Sequence, residues 1–276
     1  MPELPEVEIV VRCLDQILSG RRFESAELRR QRLAPDITPK KFANRLVGAQ
    51  INFVHRRGKH ILFDLDNGRT LITHLRMSGR FWLLDPESSE PKFSHAVFEL
   101  DDGERLVFQD QRHFGFMNVV ETSRLFQAKE LAKLAPEPLS EDFSDDYFRK
   151  TLKGTKRNIK ALLLDQTRVC GVGNIYASEA LFLAGVRPTA VSGAITKAKT
   201  VVLRESIVQV MNETLELGAN IPLDRSNIGG NIYGPNSDGD WRVYGREGEL
   251  CLKCRSTIKR IVQGTRSTYY CRSCQR

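Results

Sequence analysis

Ile51-Asn52-Phe53-Val54-His55-Arg56-Arg57-Gly58-Lys59-His60-Ile61-Leu62-Phe63-Asp64-Leu65-Asp66-Asn67-Gly68 sets the period of the N-terminal half of the chain. Ile51, Phe53 and His55 alternate with other residues, and so do Ile61, Phe63 and Leu65 before the Asp66-Asn67-Gly68 turn and Leu71. A period of two is that of a strand burying one face. The signature returns as Phe98 and Leu100, an Asp102-Gly103 turn, then Leu106 and Phe108, which reads as a second hairpin. Short strands joined by tight turns over residues 45–120 predict a β-sandwich or barrel rather than a parallel sheet.

Upstream of this region the period is helical. Val7, Val10, Val11, Leu14 and Leu18 share one face, and Gly20 supplies the stop. Beyond residue 121 the pattern turns helical again, with Leu125, Leu131 and Leu134 ahead of the Pro136-Glu137-Pro138 break. Further helices are expected near 144–152, 156–165, 174–184 and 196–217. Residues 218–240 are rich in Gly, Asn, Asp and Pro and read as a long loop, a length usually reserved for function or disorder.

The chain has 276 residues, room for about two domains, and 41% hydrophobic residues allow a packed core. Lys plus Arg number 42 against 34 Asp plus Glu, a net charge of +8 that points to a polyanionic partner, most often nucleic acid. Residues 241–276 carry nine Lys or Arg against Glu247 and Glu249, so +7 of charge sits in the last segment. No apolar run approaches the roughly 18 residues of a membrane span. Met1-Pro2-Glu3-Leu4-Pro5-Glu6-Val7-Glu8 lacks the basic and apolar regions of a signal peptide. The expected location is the cytoplasm, nucleoid-associated, in a bacterium, or the nucleus or an organelle in a eukaryote.

Six cysteines occur, and four of them form Cys251-x-x-Cys254 and Cys271-x-x-Cys274, separated by 16 residues. Two such pairs let two tight turns present four thiolates to one tetrahedral Zn²⁺. Disulfides or a redox pair are the alternatives, and the absence of a signal peptide favours zinc. Four thiolate ligands leave no open position for water, so the expected ion is structural. Cys13 and Cys170 read as small hydrophobes.

Pro2 permits removal of the initiator methionine and would leave a secondary amine at the terminus. An N-terminal amine titrates near about 8, so a useful fraction is neutral and nucleophilic at physiological pH. Glu3 and Glu6 stand within the next turn, where they could serve that amine or simply favour a helix start.

Taken together, these motifs resemble the formamidopyrimidine-DNA glycosylase family of bifunctional base-excision glycosylases, along nearly the whole chain. The resemblance rests on Pro2-Glu3-Leu4-Pro5-Glu6 and Arg57-Gly58-Lys59-His60, the latter expected on a strand, and on His74-Leu-Arg-Met77-Ser-Gly79-Arg80-Phe81. It continues through Asp110-Gln-Arg112-His-Phe114-Gly115 and Gly171-Val-Gly173-Asn174-Ile-Tyr176-Ala-Ser-Glu179. Val243-Tyr244-Gly245-Arg246 and Arg266-Ser-Thr268-Tyr-Tyr-Cys271 complete it.

The resemblance implies an α+β chain: an N-terminal helix with an antiparallel β-sandwich over 1–130 and a helical domain bearing a helix–two-turn–helix element over 131–240. A four-cysteine zinc finger over 241–276 would follow. It implies Pro2 as the nucleophile that attacks C1′ and forms a Schiff base, followed by β,δ-elimination. Glu3 is then the general acid/base, Glu6 an assisting carboxylate, and Lys59 a hairpin lysine reaching the phosphate or the damaged base. Met77, Arg112 and Phe114 would fill the gap left by an everted nucleotide, although Met77 and Phe114 by type alone would be core residues. His74, His95, Lys160, Asn174, Tyr244 and Arg266 are implied as DNA contacts. Asn174 also stands where a Gly-rich turn opens a helix, a natural phosphate site. The implied cofactor is one Zn²⁺ and the partner double-stranded DNA with damaged bases or abasic sites, bound by a monomer with no membrane association.

Two departures concern specificity. Gly218-Ala-Asn-Ile-Pro-Leu-Asp-Arg225-Ser-Asn-Ile-Gly-Gly230 differs from the family's usual lid, which carries a Ser/Thr-rich stretch followed by Arg-Asp-aromatic, and Ser78 follows Met77 where several members of the family it resembles have a larger polar residue. The PELPE start and the Arg112/Phe114 arrangement favour oxidised purines, 8-oxoguanine and formamidopyrimidines. Oxidised pyrimidines (a Nei-type activity) and a non-catalytic damaged-DNA-binding protein are the alternatives.

Overall fold

The computed structural model describes residues 2–228 and 241–276. They divide into two compact units. One holds the chain up to Ala132 plus the stretch from Gly218; the other holds Lys133–Leu217 plus the C-terminal stretch through Arg276.

The first unit begins with α1 (Leu4–Leu18), whose Val7, Val10, Val11, Leu14 and Leu18 are buried as their spacing predicts. Pro5 costs no hydrogen bond in the first turn, where its N–H would have no partner. Eight strands follow: β1 (Phe23–Leu28), β2 (Ile51–Arg57), β3 (His60–Leu65), β4 (Arg69–His74), β5 (Gly79–Leu84), β6 (Ser94–Leu100), β7 (Arg105–Asp110) and β8 (Phe116–Glu121). They form two four-stranded antiparallel sheets, β1-β6-β7-β5 and β2-β3-β4-β8. Phe23, Phe63, Phe81, Phe98 and Phe108 fill the core with α1, so α+β with a β-sandwich is the observed class. A short α2 (Pro39–Leu46) has no counterpart in the sequence reading. Thr38 caps it and only Phe42 and Leu46 bury, too brief a pattern to stand out.

The helix expected around Leu125–Leu134 is instead a 3₁₀ turn, Thr122–Gln127, followed by turns. Leu125 alone anchors that turn in the core, and Pro136 and Pro138 leave no room to propagate.

The second unit contains α3 (Asp145–Leu152), α4 (Ile159–Leu163), α5 (Asn174–Leu183) and α6 (Lys197–Gly218), with a hairpin of β9 (Lys259–Gln263) and β10 (Arg266–Tyr270). The stretch expected as a lid packs, where described, with the first unit. Ile228 joins its core, and Arg225 pairs with Asp85 at 2.8 Å and with Glu104. The remainder of that expected loop, 229–240, lies outside the described residues. Among the described residues, no helix is long and apolar enough to cross a membrane.

Candidate functional site

Strand register gathers the first group of residues. β4 leaves one sheet for β5 in the other through the Leu75–Ser78 turn, and β7 returns to β8 through residues 111–115. Gly79 pairs with Asp110 and His74 with Phe116, so both crossovers leave the sandwich at the same end. His60 pairs with His74, which brings the β2–β3 turn there too. That turn is Gly58-Lys59: Gly58 takes φ 59°, so Lys59 sits in the hairpin turn rather than on a strand as the sequence predicts. Lys59 is largely buried.

α1 delivers its N-terminus to this end. Glu8 binds Arg56 at 2.6 Å and Asp15 accepts the Val54 N–H at 2.7 Å, so the helix runs antiparallel to β2 and starts beside its C-terminal turn. Glu3 and Glu6 form a reciprocal capping box, with the Glu3 N–H donating to Glu6 Oε2 at 2.8 Å. Pro2, Glu3 and Glu6 are all buried.

Met77 and Phe114 are 40% and 48% exposed, unlike the core residues their type suggests. The Arg112 guanidinium lies 5.4 Å from the Phe114 ring centroid, a cation–π contact. His74 and His95, expected as DNA contacts, are buried beneath these turns. His74 Nδ1 accepts the Arg76 N–H at 2.9 Å and so shapes the turn ahead of Met77, where Arg76 takes φ 55°. His95 Nε2 approaches the Asp110 carbonyl at 2.9 Å and His113 Nδ1 at 2.8 Å. Burial, joined by the positive charge of Arg76 and Lys59, holds His74 far below the ordinary imidazole range. Burial likewise lowers His60 to about 4. Both rings are neutral at physiological pH and stack edge to face at 4.7 Å.

The second unit carries the other group. Gly173 caps α5 and Asn174 opens it, as the Gly-rich turn predicts. Asn174 Nδ2 donates to the Ser267 carbonyl at 3.0 Å and lies 3.5 Å from the Tyr244 hydroxyl. Lys160, expected to contact DNA, is 1% exposed. Its ammonium donates to Thr268 Oγ1 at 2.8 Å and to the Ser267 carbonyl at 3.2 Å, so it fixes the β9–β10 hairpin. Arg266 starts β10 and is exposed.

Two residues here received no role from the sequence, although Glu179 closes the Gly171–Glu179 motif. Glu179 is wholly buried and accepts the N–H groups of Arg242, Val243 and Tyr244 at 2.8–2.9 Å, which holds the chain entering the finger. Burial raises its carboxyl. Gln275 donates to the Val186 carbonyl at 2.9 Å and accepts the Cys271 N–H. Glu179 is the one charged residue on α5, a signal that its carboxylate needs partners if that helix is buried.

The sulfurs of Cys251, Cys254, Cys271 and Cys274 all lie within 4.8 Å of one another. Cys251–Cys274 is 3.9 Å and Cys254–Cys271 is 3.4 Å, far too long for disulfides. Those spacings suit a tetrahedron of about 2.3 Å Zn–S bonds. The donor set fits one structural Zn²⁺.

Three family models match the chain in the order of these parts. They are the formamidopyrimidine-DNA glycosylase N-terminal domain over residues 1–117, its H2TH domain over 134–226, and a zinc finger found in that family and in isoleucyl-tRNA synthetases over 248–276. The class they define is a zinc-containing DNA glycosylase of DNA repair. A formamidopyrimidine-DNA glycosylase of Ruegeria pomeroyi is 42% identical and one of Bacillus licheniformis 39%, each matching over the full length of both chains. A Lactococcus lactis structure in complex with N7-benzyl-Fapy-dG DNA is 32% identical, with a TM-score of 0.89 and 99% of each chain covered. Another, bound to DNA containing an abasic site, gives 31% and 0.90, with the same 99% coverage of each chain. The chain belongs to the formamidopyrimidine-DNA glycosylase family.

Proposed function

We propose that this chain excises oxidised purines, 8-oxoguanine and formamidopyrimidines, from double-stranded DNA and then cleaves the strand by β,δ-elimination. The observation that carries this reading is the meeting of Pro2, Glu3 and the Lys59 turn at one end of the sandwich, where the Met77 and Phe114 turns also emerge. Removal of Met1 frees the Pro2 nitrogen as a secondary amine. It attacks C1′ of the damaged nucleotide, the glycosidic bond breaks, and the base departs with a proton. Opening of the sugar ring at that carbon leaves an iminium on Pro2. The iminium acidifies the C2′ proton, whose removal expels the 3′ phosphate, and a second elimination expels the 5′ phosphate.

Glu3 supplies the proton for opening the sugar, and Glu6 orients Glu3 through the capping box. Lys59 serves as the cation for the phosphate or the damaged base. Met77, Arg112 and Phe114 replace the lost stacking, with the guanidinium facing the orphaned base. Asn174, Tyr244 and Arg266 grip phosphates, while Lys160, His74 and His95 act by positioning. The Zn²⁺ supplies no chemistry; its four cysteines fold the hairpin that carries Arg266. The bacterial sources of its relatives support a cytoplasmic enzyme acting at the chromosome.

A relative's structure with DNA containing an oxidised pyrimidine keeps that substrate class as a second reading. Borohydride trapping separates the cases. The mature protein is incubated with a duplex carrying 8-oxoguanine opposite cytosine, and peptide mapping is expected to find the reduced cross-link on Pro2. A cross-link only with an oxidised pyrimidine moves the specificity. Tight binding with no cross-link to either lesion or to an abasic site leaves a non-catalytic binder.

A further inference from the structure

One buried carboxylate spans the two crossover turns. Asp110 is wholly buried at the end of β7. Its Oδ1 accepts the Ser78 hydroxyl and, at 3.2 Å, the Arg112 N–H; its Oδ2 accepts the Gly115 N–H at 2.6 Å. Ser78 Oγ accepts the Arg112 N–H in turn, at 3.0 Å. Ser78 lies on the β4–β5 turn and follows Met77, whereas Arg112 and Gly115 lie on the β7–β8 turn and bracket Phe114. A side chain at Gly115 would meet Phe108 at 2.8 Å and Asp110 at 3.1 Å, so the backbone must approach this closely. Each turn also holds a residue in the left-handed region, Arg76 at φ 55° and His113 at φ 61°, conformations that persist only where neighbours fix them.

We propose that Ser78 and Asp110 lock the two turns together, so that Met77, Arg112 and Phe114 enter the duplex as a single preformed wedge. Resting on the void-filling reading above, this makes Ser78 and Asp110 positioning residues for base eversion. A carboxylate that accepts N–H groups of one turn and a hydroxyl of the other ties their movements, and a wedge fixed in advance loses no order when it inserts. Ser78 has the length for this bridge: its one oxygen donates to Asp110 and accepts from Arg112.

The test uses the full-length, zinc-loaded protein and a duplex with 2-aminopurine beside the lesion, whose fluorescence follows eversion in stopped flow. Ser78→Ala is expected to slow the eversion phase about tenfold, the equivalent of one hydrogen bond at about 1.4 kcal/mol, and Ser78→Thr to restore it. Asp110→Asn should slow it further. Borohydride trapping of Ser78→Ala on an abasic site in an unpaired bubble, which needs no wedge, should match the unsubstituted protein. Wild-type eversion in Ser78→Ala overturns the lock, and so does equal slowing on duplex and bubble. Met77→Ala distinguishes the levels: if it too leaves eversion unchanged, the void-filling reading fails, whereas a slow Met77→Ala beside a normal Ser78→Ala sinks the lock alone.

Discussion

At the scale of single residues, the paired imidazoles of His60 and His74 give the most direct handle on this fold. His60 and His74 stack under the Lys59 and Met77 turns as neutral rings, lowered chiefly by burial and further by nearby Arg76 and Lys59. Unfolded, each histidine binds a proton at its ordinary value of 6.5, while folded His60 resists protonation down to about 4. Between those values the unfolded state holds more protons, so stability must fall as pH falls through this window. For His60 the upper bound is about 3 kcal/mol at 1.36 kcal/mol per pKa unit. Melting temperatures measured from pH 7.5 down to pH 4 should decline most below 6.5, and His60→Asn should flatten the decline. An unchanged slope in that variant would contradict a His60 held neutral by the fold.

Among elements, the β9–β10 hairpin depends on polar groups from the helices. Lys160 on α4, Asn174 on α5 and the Ser267 carbonyl meet at one point, and Gln275 ties the final knuckle to Val186. A buried ammonium is costly unless its donors are met, which makes Thr268 and Ser267 as necessary to Lys160 as it is to them. Zinc stripping should therefore disorganise together Asn174, Tyr244 and Arg266, the residues proposed to grip phosphates. We expect a strong chelator to lower DNA affinity by about 100-fold or more, as metal-coupled folding of the finger is lost. The strand signal of the first unit in circular dichroism should persist. Affinity that survives full metal loss would remove the finger from the interface.

For the molecule as a whole, charge is the dominant long-range property. The net charge is +8, and the last 36 residues alone carry +7. Each phosphate neutralised releases counterions, so the logarithm of the binding constant should fall linearly with the logarithm of salt concentration. Four or more Lys/Arg–phosphate contacts require a slope of about −3.6 or steeper on B-DNA. A fluorescence-anisotropy titration over a range of salt concentrations measures it, and a slope shallower than about −2 would contradict this mode of binding.

Strand period, the paired cysteine knuckles and the PELPE start were legible in the chain before any packing, whereas the short α2 and the 3₁₀ turn at Thr122–Gln127 were not. Alternation at Ile61, Phe63 and Leu65 defines a strand because side chains alternate across a sheet, whatever the sheet's partners. Two Cys-x-x-Cys pairs define a metal site because each knuckle is local, and the PELPE start puts an amine and two carboxylates within one turn. Packing settled which polar residues are buried and what they hold. Ser78 and Asp110 are 32 positions apart, and Lys160 and Thr268 are 108 apart. Lys160, His74 and His95 are implied as DNA contacts by the family resemblance, and the structure buries all three. Burial of a polar group is settled by whether distant chain supplies its hydrogen-bond partner, and only strand register and packing bring that partner into reach.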